Sequence, residues 1–172
     1  MSLDSFSYAL GRLLKNCFLS NIIELNWNSV VKYHVLAMID YNGVTRPKYT
    51  PEWITELKPD EVFVFGSNIQ GAHGGGAAWI AYRQFGAIMG QGVGLHGQSY
   101  AIPTMQGGVE TIAPYVNDFI TFAKTHPELF FYVTRVGCGI AGFRDDEIAL
   151  LFADALCVEN ICLPESFVMV LK

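Results

Sequence analysis

The sequence contains few charged residues and no excess of basic ones. Charged residues make up 16% of its 172 positions, and the formal net charge is -5. Proteins that bind nucleic acid or anionic membrane surfaces carry basic patches. We therefore expect no direct binding to nucleic acid or to a membrane. We also expect any anionic ligand to be held mainly by backbone N–H groups rather than by a lysine cluster.

Cysteine is scarce, and no targeting or membrane-spanning segment is evident. The four cysteines form no C-x-x-C pair and have no zinc-ligand spacing, which favours free thiols in a reducing compartment. The first residues, "MSLDSFSYAL", lack the basic start and long apolar run of a signal peptide. No apolar run reaches the roughly 18–20 residues of a membrane span. The sequence thus predicts a soluble, cytoplasmic protein without a metal or a cofactor.

Hydrophobic residues, by contrast, are abundant enough for one globular domain. They make up 51% of the chain. We divide it into residues 1–50, an N-terminal extension or the first elements of the domain, and residues 51–172, the domain itself. In the first part, "SYALGRLLKNCFL" has helical spacing, "YHVLAMID" is a candidate strand and "NGVTRPKYTPEW" is a predicted loop or linker. The aromatic residues Trp53, Phe130 and Phe131 are expected in the core.

From residue 61 onward, predicted strands alternate with predicted helices. The strands are "VFVF", "SYAIP", "LFFYVTRV", "NICL" and "FVMVL". The helices run from about Gly76 to Phe85, through "IAPYVNDFITFAKTH" and through "DDEIALLFADAL", where Asp145 is a candidate cap. "QGVGLHGQ" is predicted as a glycine-rich loop. This alternation predicts a layered α/β fold with right-handed crossovers.

Two further glycine-rich loops, Gly66–Gly76 and Gly137–Gly142, each follow a predicted strand and precede a predicted helix. Ligands of open α/β sheets bind at the carboxyl ends of strands. A helix N-terminus favours phosphate, and glycine allows a phosphate to approach the backbone. We expect the two loops to clamp a diphosphate from two sides, the alternative being that their glycines form only tight turns.

The stretch "GCGIAG" also fits the dinucleotide fingerprint G-x-G-x-x-G, but its context argues against a full Rossmann domain. The same pattern fits "GVGLHG", which has no strand before it. In a Rossmann unit the third glycine lies within the helix, whereas here the helix is predicted to begin near Asp145, after Gly142. The chain that remains after Gly142 is too short to complete such a domain.

Both loops resemble those of a known family. "FVFGSNIQGAHGGGAAWIA" is similar to the first binding loop of macro domains, and "YVTRVGCGIAGFRDDEIALLF" is similar to the second. "SYAIPT" lies where the family has a short strand. The resemblance spans about Val62–Phe152. It implies a three-layer α/β/α fold with a central mixed, mostly parallel sheet. Macro domains bind ADP-ribose and some hydrolyse ADP-ribosyl bonds, so it also implies ADP-ribose, a related nucleotide or an ADP-ribosylated macromolecule as the partner.

The resemblance also implies a set of ligand-binding residues. By position they are Gly66, Ser67, Asn68, Gly74, Gly75, Gly76, Gly137, Cys138, Gly139, Ile140, Ala141, Gly142 and Phe143. Asn68 would contact the distal ribose, and Phe143 would pack near it. The second loop would wrap the diphosphate through its backbone amides. Family members often read the adenine amino group with an early aspartate, for which Asp40 is the candidate. Ala141 replaces an aromatic residue that many members have.

The candidate catalytic residues are Asn68 and His73. A water held between ribose and diphosphate would be the nucleophile, with Asn68 orienting it and His73 acting as general acid or base. The alternatives are a structural asparagine and a solvent-facing loop histidine. Cys138 is a candidate nucleophile or a buried small residue. Arg135 either pairs with an acid such as Asp118 or faces the ligand.

Three other functions fit the same sequence. A module that binds ADP-ribose without chemistry would need no titratable residue, so His73→Ala would not change its affinity. A Cys138-dependent hydrolase would lose turnover when Cys138 is replaced by alanine. An interaction protein would use residues 1–50, and its clefts would be degenerate.

Overall fold

The computed structural model describes residues 38–172, so the helix predicted in "SYALGRLLKNCFL" lies outside the described residues. The described part begins with an antiparallel hairpin of β1 (Met38–Tyr41) and β2 (Val44–Pro47). Its turn residues, Asn42 and Gly43, both have positive φ, as the tight type I′ turn requires. The strand prediction for "YHVLAMID" is confirmed over its last residues. The linker prediction is wrong for "VTRP", which forms β2.

A five-stranded sheet forms the centre of the domain. Its strands are β3 (Glu61–Ser67), β4 (Gly94–His96), β5 (Ser99–Pro103), β6 (Phe130–Val133) and β7 (Ile161–Cys162). The order across the sheet is β4-β5-β3-β6-β7. The β4–β5 pair is antiparallel and the other three pairs are parallel. The predicted mixed, mostly parallel sheet is confirmed, and the loop predicted at "QGVGLHGQ" contains the short strand β4.

Helices complete the three-layer α/β/α fold. They are α1 (Gly76–Gln84), α2 (Val109–Thr125), α3 (Asp145–Ala149), a 3₁₀ helix (Leu150–Cys157) and α4 (Glu165–Leu171). The three predicted helices are confirmed, although the third changes to 3₁₀ geometry halfway. The prediction of a closing strand at "FVMVL" is wrong, because these residues lie in α4. Within residues 38–172, no helix is both long and apolar enough to cross a membrane.

Alternation along β3 explains how one strand contributes to two core layers. Val62 and Val64 pack in a cluster with α2, α3 and α4, whereas Phe63 and Phe65 pack in a cluster with α1. Successive side chains of a strand point to opposite faces, so a strand buried on both faces consists of consecutive apolar residues. The run "VFVF" therefore places β3 in the middle of the sheet.

The hairpin packs on the sheet near β6. The rings of Tyr41 and Phe130 have centroids 5.5 Å apart. Arg46 is completely buried, and its guanidinium lies 4.5 Å from the centre of the Phe130 ring. It donates hydrogen bonds to Glu61 at 2.5 Å and to Asp60. Residues 38–47 are thus part of the packed domain, and the core prediction is confirmed for Phe130.

Candidate functional site

The three parallel strands β5, β3 and β6 lie side by side, so their carboxyl ends meet at one edge of the sheet. The loop of residues 68–75 leaves β3 at this edge, and the loop of residues 134–144 leaves β6 beside it. A cavity of about 390 Å³ lies between the two loops. The glycine-rich loops in the sequence predicted this juxtaposition, and it follows from the order and direction of the strands.

We call this cavity the glycine cleft. Most residues predicted to bind the ligand line it, namely Gly66, Ser67, Asn68, Gly74, Gly75, Gly76, Gly137, Gly139, Ile140 and Ala141. Cys138, Gly142 and Phe143 do not line it, and Phe143 packs against the larger core cluster instead. Thr104 and Met105 line the cleft although the sequence analysis did not single them out. They follow β5, and the strand order that brings them here cannot be read from local sequence.

Asn68 closes the first loop on itself. Its side-chain amide donates to the Ala72 carbonyl and its Oδ1 accepts from the Ala72 N–H, both at 3.0 Å. Its own carbonyl accepts from the Gly71 N–H at 2.9 Å. The side chain retains one N–H and one lone pair beyond these bonds, and the residue lines the cleft. Asn68 therefore has the structural role of closing the loop, and its side chain can still form hydrogen bonds with a ligand.

His73 is completely buried, so the interpretation as a solvent-facing histidine is wrong. Its Nε2 lies 3.1 Å from the Ile88 carbonyl oxygen and 3.2 Å from that of Gln91, which makes this nitrogen the donor. Its Nδ1 lies 3.4 Å from Ser67 Oγ. His73 does not line the cleft. The geometry makes it a positioning residue that ties the first loop to residues 88–91.

The glycines near the cleft fall into two groups. A Cβ on Gly92 would lie 1.8 Å from the Asn68 carbonyl oxygen, and one on Gly71 would lie 2.3 Å from a backbone nitrogen of the facing segment. These two glycines allow one part of the backbone to pack on another. A Cβ on Gly74 or Gly139 would have no atom of residues 38–172 within 4 Å. These two line the open cleft and leave its space free.

The first loop presents N–H groups that have no acceptor in the described part of the chain. Gly75 is the N-cap of α1, no side chain caps this helix, and its first turn contains no acid. Among residues 38–172, no acceptor pairs with the N–H groups of residues 74–78 or of residues 139–141 in the facing loop. A helix N-terminus of this kind has a partial positive charge and free donors, which suit an anion.

The second loop does not supply a comparable helix terminus. Its helix, α3, is only five residues long, and its first turn contains Asp145, Asp146 and Glu147. Glu147 accepts a hydrogen bond from the Arg144 N–H at 2.9 Å, and Arg144 rather than Asp145 is the N-cap. These acids compensate the partial charge of the helix. We expected two helix N-termini to clamp the ligand. The structure instead has one helix N-terminus, which faces a row of backbone amides in the second loop.

Ile140 spans the gap between the two loops. Its side chain is largely exposed, and its Cδ1 lies 3.2 Å from the position of a Cβ on Gly75 and 3.7 Å from one on Gly76. A larger residue in the first loop would therefore press on this methyl group. The side chain of Ile140 thus reaches the N-terminus of α1 from the opposite side of the cleft.

Cys138 has a thiol that resists ionisation. Burial raises the pKa of this thiol to about 12, and the neighbouring Asp145 carboxylate acts in the same direction. The sulfur lies 3.5 Å from the Val136 carbonyl oxygen, to which it donates. A thiol with this pKa is protonated at neutral pH and is a poor nucleophile. The surroundings favour the interpretation of Cys138 as a small packed residue.

A second cavity of about 750 Å³ adjoins the glycine cleft. We call it the aromatic groove, because its walls include Tyr49, Trp53, Ile54, Phe63 and Ile80. The core prediction for Trp53 is wrong, since the residue is 78% exposed in the irregular segment between β2 and β3. Glu52 and Glu165 supply the carboxylates among the described residues of this lining.

Two residues have partners that the sequence did not predict. Arg135 pairs with Asp145 at 2.5 Å rather than with Asp118. Asp40, the candidate for reading adenine, lies in β1, where its carboxylate accepts from the Gly43 N–H at 3.2 Å. It lines neither cavity. The adenine role expected for Asp40 therefore has no support in the geometry.

Comparison of the chain with family models, with curated proteins and with solved structures finds no match. The macro-domain resemblance depends on the two loop sequences alone and stays a prediction. The fold and the positions of the two cavities are described by the structure itself. The donors, charges and walls of the site itself therefore indicate which ligand it suits.

Proposed function

We propose that the protein binds ADP-ribose or a related nucleotide diphosphate across the glycine cleft and the aromatic groove. The observation that carries this proposal is the row of unpaired N–H groups at the N-terminus of α1, which faces the loop amides of residues 139–141. A diphosphate has several acceptor oxygens and at least two negative charges, so it can use donors from both sides. Gly74 and Gly139 leave the space that it would occupy.

The aromatic groove suits the base of such a nucleotide. Tyr49 and Trp53 offer aromatic faces on which a flat heterocycle can stack. Glu52 and Glu165 can accept a hydrogen bond from an exocyclic amino group, in place of the aspartate that the resemblance implied. A ligand with a central diphosphate and a base at one end uses both cavities, whereas free phosphate uses only one.

Binding is better supported than hydrolysis. Among the described residues that line the glycine cleft there is no carboxylate and no imidazole, and Cys138 is not in the lining. The polar side chains there are Ser67, Asn68, Thr104, Thr134 and Arg135. Hydrolysis of an ADP-ribosyl bond would thus depend on a water oriented by Asn68 and the ligand. An ADP-ribosylated macromolecule is the partner that a binding module of this kind would recognise.

Isothermal titration of ADP-ribose into the wild-type protein tests the proposal, with Gly139→Glu and Gly139→Gln as matched variants. Both substitutions occupy the cleft, and neither brings its Cβ within 4 Å of a described residue, so both variants should melt like the wild type. We expect micromolar binding by the wild type, weaker binding by the glutamine variant and none by the glutamate variant, because its carboxylate repels the diphosphate. Wild type that binds none of ADP-ribose, ADP and NAD would overturn the proposal.

A further inference from the structure

A single cation lies where the two cavities join. The glycine cleft and the aromatic groove share Gly76, Ala77, Thr134 and Arg135. Arg135 is the one positively charged residue among the described residues of either lining, and its side chain is 62% exposed. A ligand that extends from one cavity into the other must pass this guanidinium.

One carboxylate holds the guanidinium of Arg135. Nη2 lies 2.5 Å from Asp145 Oδ1, and Nε lies 3.1 Å from both carboxylate oxygens. A guanidinium has five N–H donors, so this pair leaves several of them without an acceptor among residues 38–172. Asp145 also interacts with Ser166 and Cys138, which fixes its position at the start of α3. Arg135 is therefore anchored on one side and has donors left for an incoming anion.

We propose that Arg135 binds the ligand phosphate nearest to the aromatic groove and that Asp145 competes with this phosphate for the guanidinium. The inference depends on the proposed function, because it requires a diphosphate in the glycine cleft. Arginine is suited to the role because its planar donors match phosphate oxygens in pairs. Backbone N–H groups bind the phosphate farther from the groove. Arg135 then sets the preference for nucleotides over uncharged nucleosides.

A purely structural ion pair makes a different prediction. If Arg135 and Asp145 only hold the second loop in place, removing either side chain should weaken binding to a similar extent. If the phosphate and Asp145 compete for Arg135, removing the guanidinium should weaken binding, whereas removing the carboxylate should not. Arg144 supplies a matched control, because it pairs with Asp146 at the start of the same helix and lines neither cavity.

The test is to titrate ADP-ribose, and separately adenosine, into four proteins. These are the wild type and the variants Arg135→Gln, Asp145→Asn and Arg144→Gln. Thermal melting checks that each variant is folded. Loss of a charged hydrogen bond corresponds to about tenfold or more in Kd. We expect Arg135→Gln to weaken ADP-ribose by that factor and to leave adenosine unchanged. Asp145→Asn should bind ADP-ribose as tightly as the wild type or more tightly, and Arg144→Gln should match the wild type. Arg135→Lys should restore part of the affinity.

Two results would overturn the inference and leave the proposed function intact. One is an Arg135→Gln variant that binds ADP-ribose like the wild type. The other is an equal loss in Arg135→Gln and Asp145→Asn, with both variants folded, because that is the behaviour of a structural pair. A wild type that binds no nucleotide would overturn the proposed function and this inference together, so the two failures can be told apart.

Discussion

His73 is completely buried, so replacing it by alanine tests the packing of the first loop as well as any chemistry. From the sequence, an unchanged affinity in His73→Ala would indicate a module that binds without chemistry. The structure places this ring under the first loop, where Nε2 donates to the carbonyls of Ile88 and Gln91. Loss of affinity in the alanine variant therefore has a structural cause and would not indicate catalysis.

We predict that His73→Ala lowers both the stability and the ligand affinity. Two carbonyl oxygens lose their donor, and a buried group without its partner costs about 1–3 kcal/mol. The ring also leaves a cavity beside Phe65, against which it packs edge-on. Thermal melting and titration of ADP-ribose measure the two effects. A variant that melts like the wild type, binds ADP-ribose equally well and has lost only hydrolysis would restore the catalytic hypothesis.

Gly92 and Gly139 are predicted to respond differently to the same substitution. The Cβ of Gly92→Ala would lie 1.8 Å from the Asn68 carbonyl oxygen, so the backbone itself must move. Overpacking typically costs about 1–3 kcal/mol, and the shifted loop should bind ADP-ribose weakly. The Cβ of Gly139→Ala has no atom of the structurally described chain within 4 Å, so the melting temperature of this variant should equal that of the wild type. Equal melting temperatures for the two variants would contradict this packing.

The proposed ligand site explains why the N-terminus of α1 has neither a side-chain cap nor an acid in its first turn. A negative charge in the first turn of a helix stabilises it by about 0.3–1 kcal/mol. The same charge would occupy the place proposed for the diphosphate. The first turn of α1 contains no acid, whereas that of α3 contains three, and α3 is the helix that does not offer its terminus to the cleft.

We therefore predict that Ala77→Glu raises the melting temperature slightly and abolishes the binding of ADP-ribose. Ala77 lies in the first turn of α1 and lines both cavities. Ala77→Gln is the control, since it has the same size without the charge. It should weaken binding less and should lack the gain in stability. If both variants lose binding equally, the size of the new side chain and not its charge excludes the ligand. The anion site would then have to lie elsewhere.

Local sequence was sufficient to predict those elements whose hydrophobic pattern fits only one type of secondary structure. The continuous run "VFVF" predicted a central strand, and the glycine loops were placed correctly because each follows a parallel strand. "FVMVL" failed because a short apolar run fits either a buried strand or a helix. Tertiary packing favours the helix, in which the ring of Phe167 packs against that of Phe152. The two ring centroids are 5.7 Å apart. The contribution of Thr104 to the cleft depends on the strand order, which no local pattern reveals.

Folding brings together charged residues that are distant along the chain. Arg46 of the hairpin reaches Glu61 at the start of β3, and Tyr132 also donates to that carboxylate at 3.2 Å. A sequence shows which residues are charged, but it does not show which charges a fold brings together. For the same reason, Arg46 was assigned to a linker. A deletion that tests the role of residues 1–50 must therefore end before Met38, because a longer one cuts into the hairpin that holds Arg46 against Glu61.

Glu61 is a buried carboxylate that depends on Arg46 for its charge compensation. Arg46→Ala leaves Glu61 buried, and among residues 38–172 its carboxylate then keeps only Tyr132 and the Lys58 N–H as donors. Removing one partner of a buried ion pair costs about 3–5 kcal/mol, because the remaining charge lacks compensation. Arg144→Ala breaks an exposed pair and should change the stability far less, because solvent screens that pair. Urea unfolding of both variants measures the difference. Equal midpoints would show that the hairpin contributes no stability through Arg46, and a domain boundary at residue 51 would then be the better description.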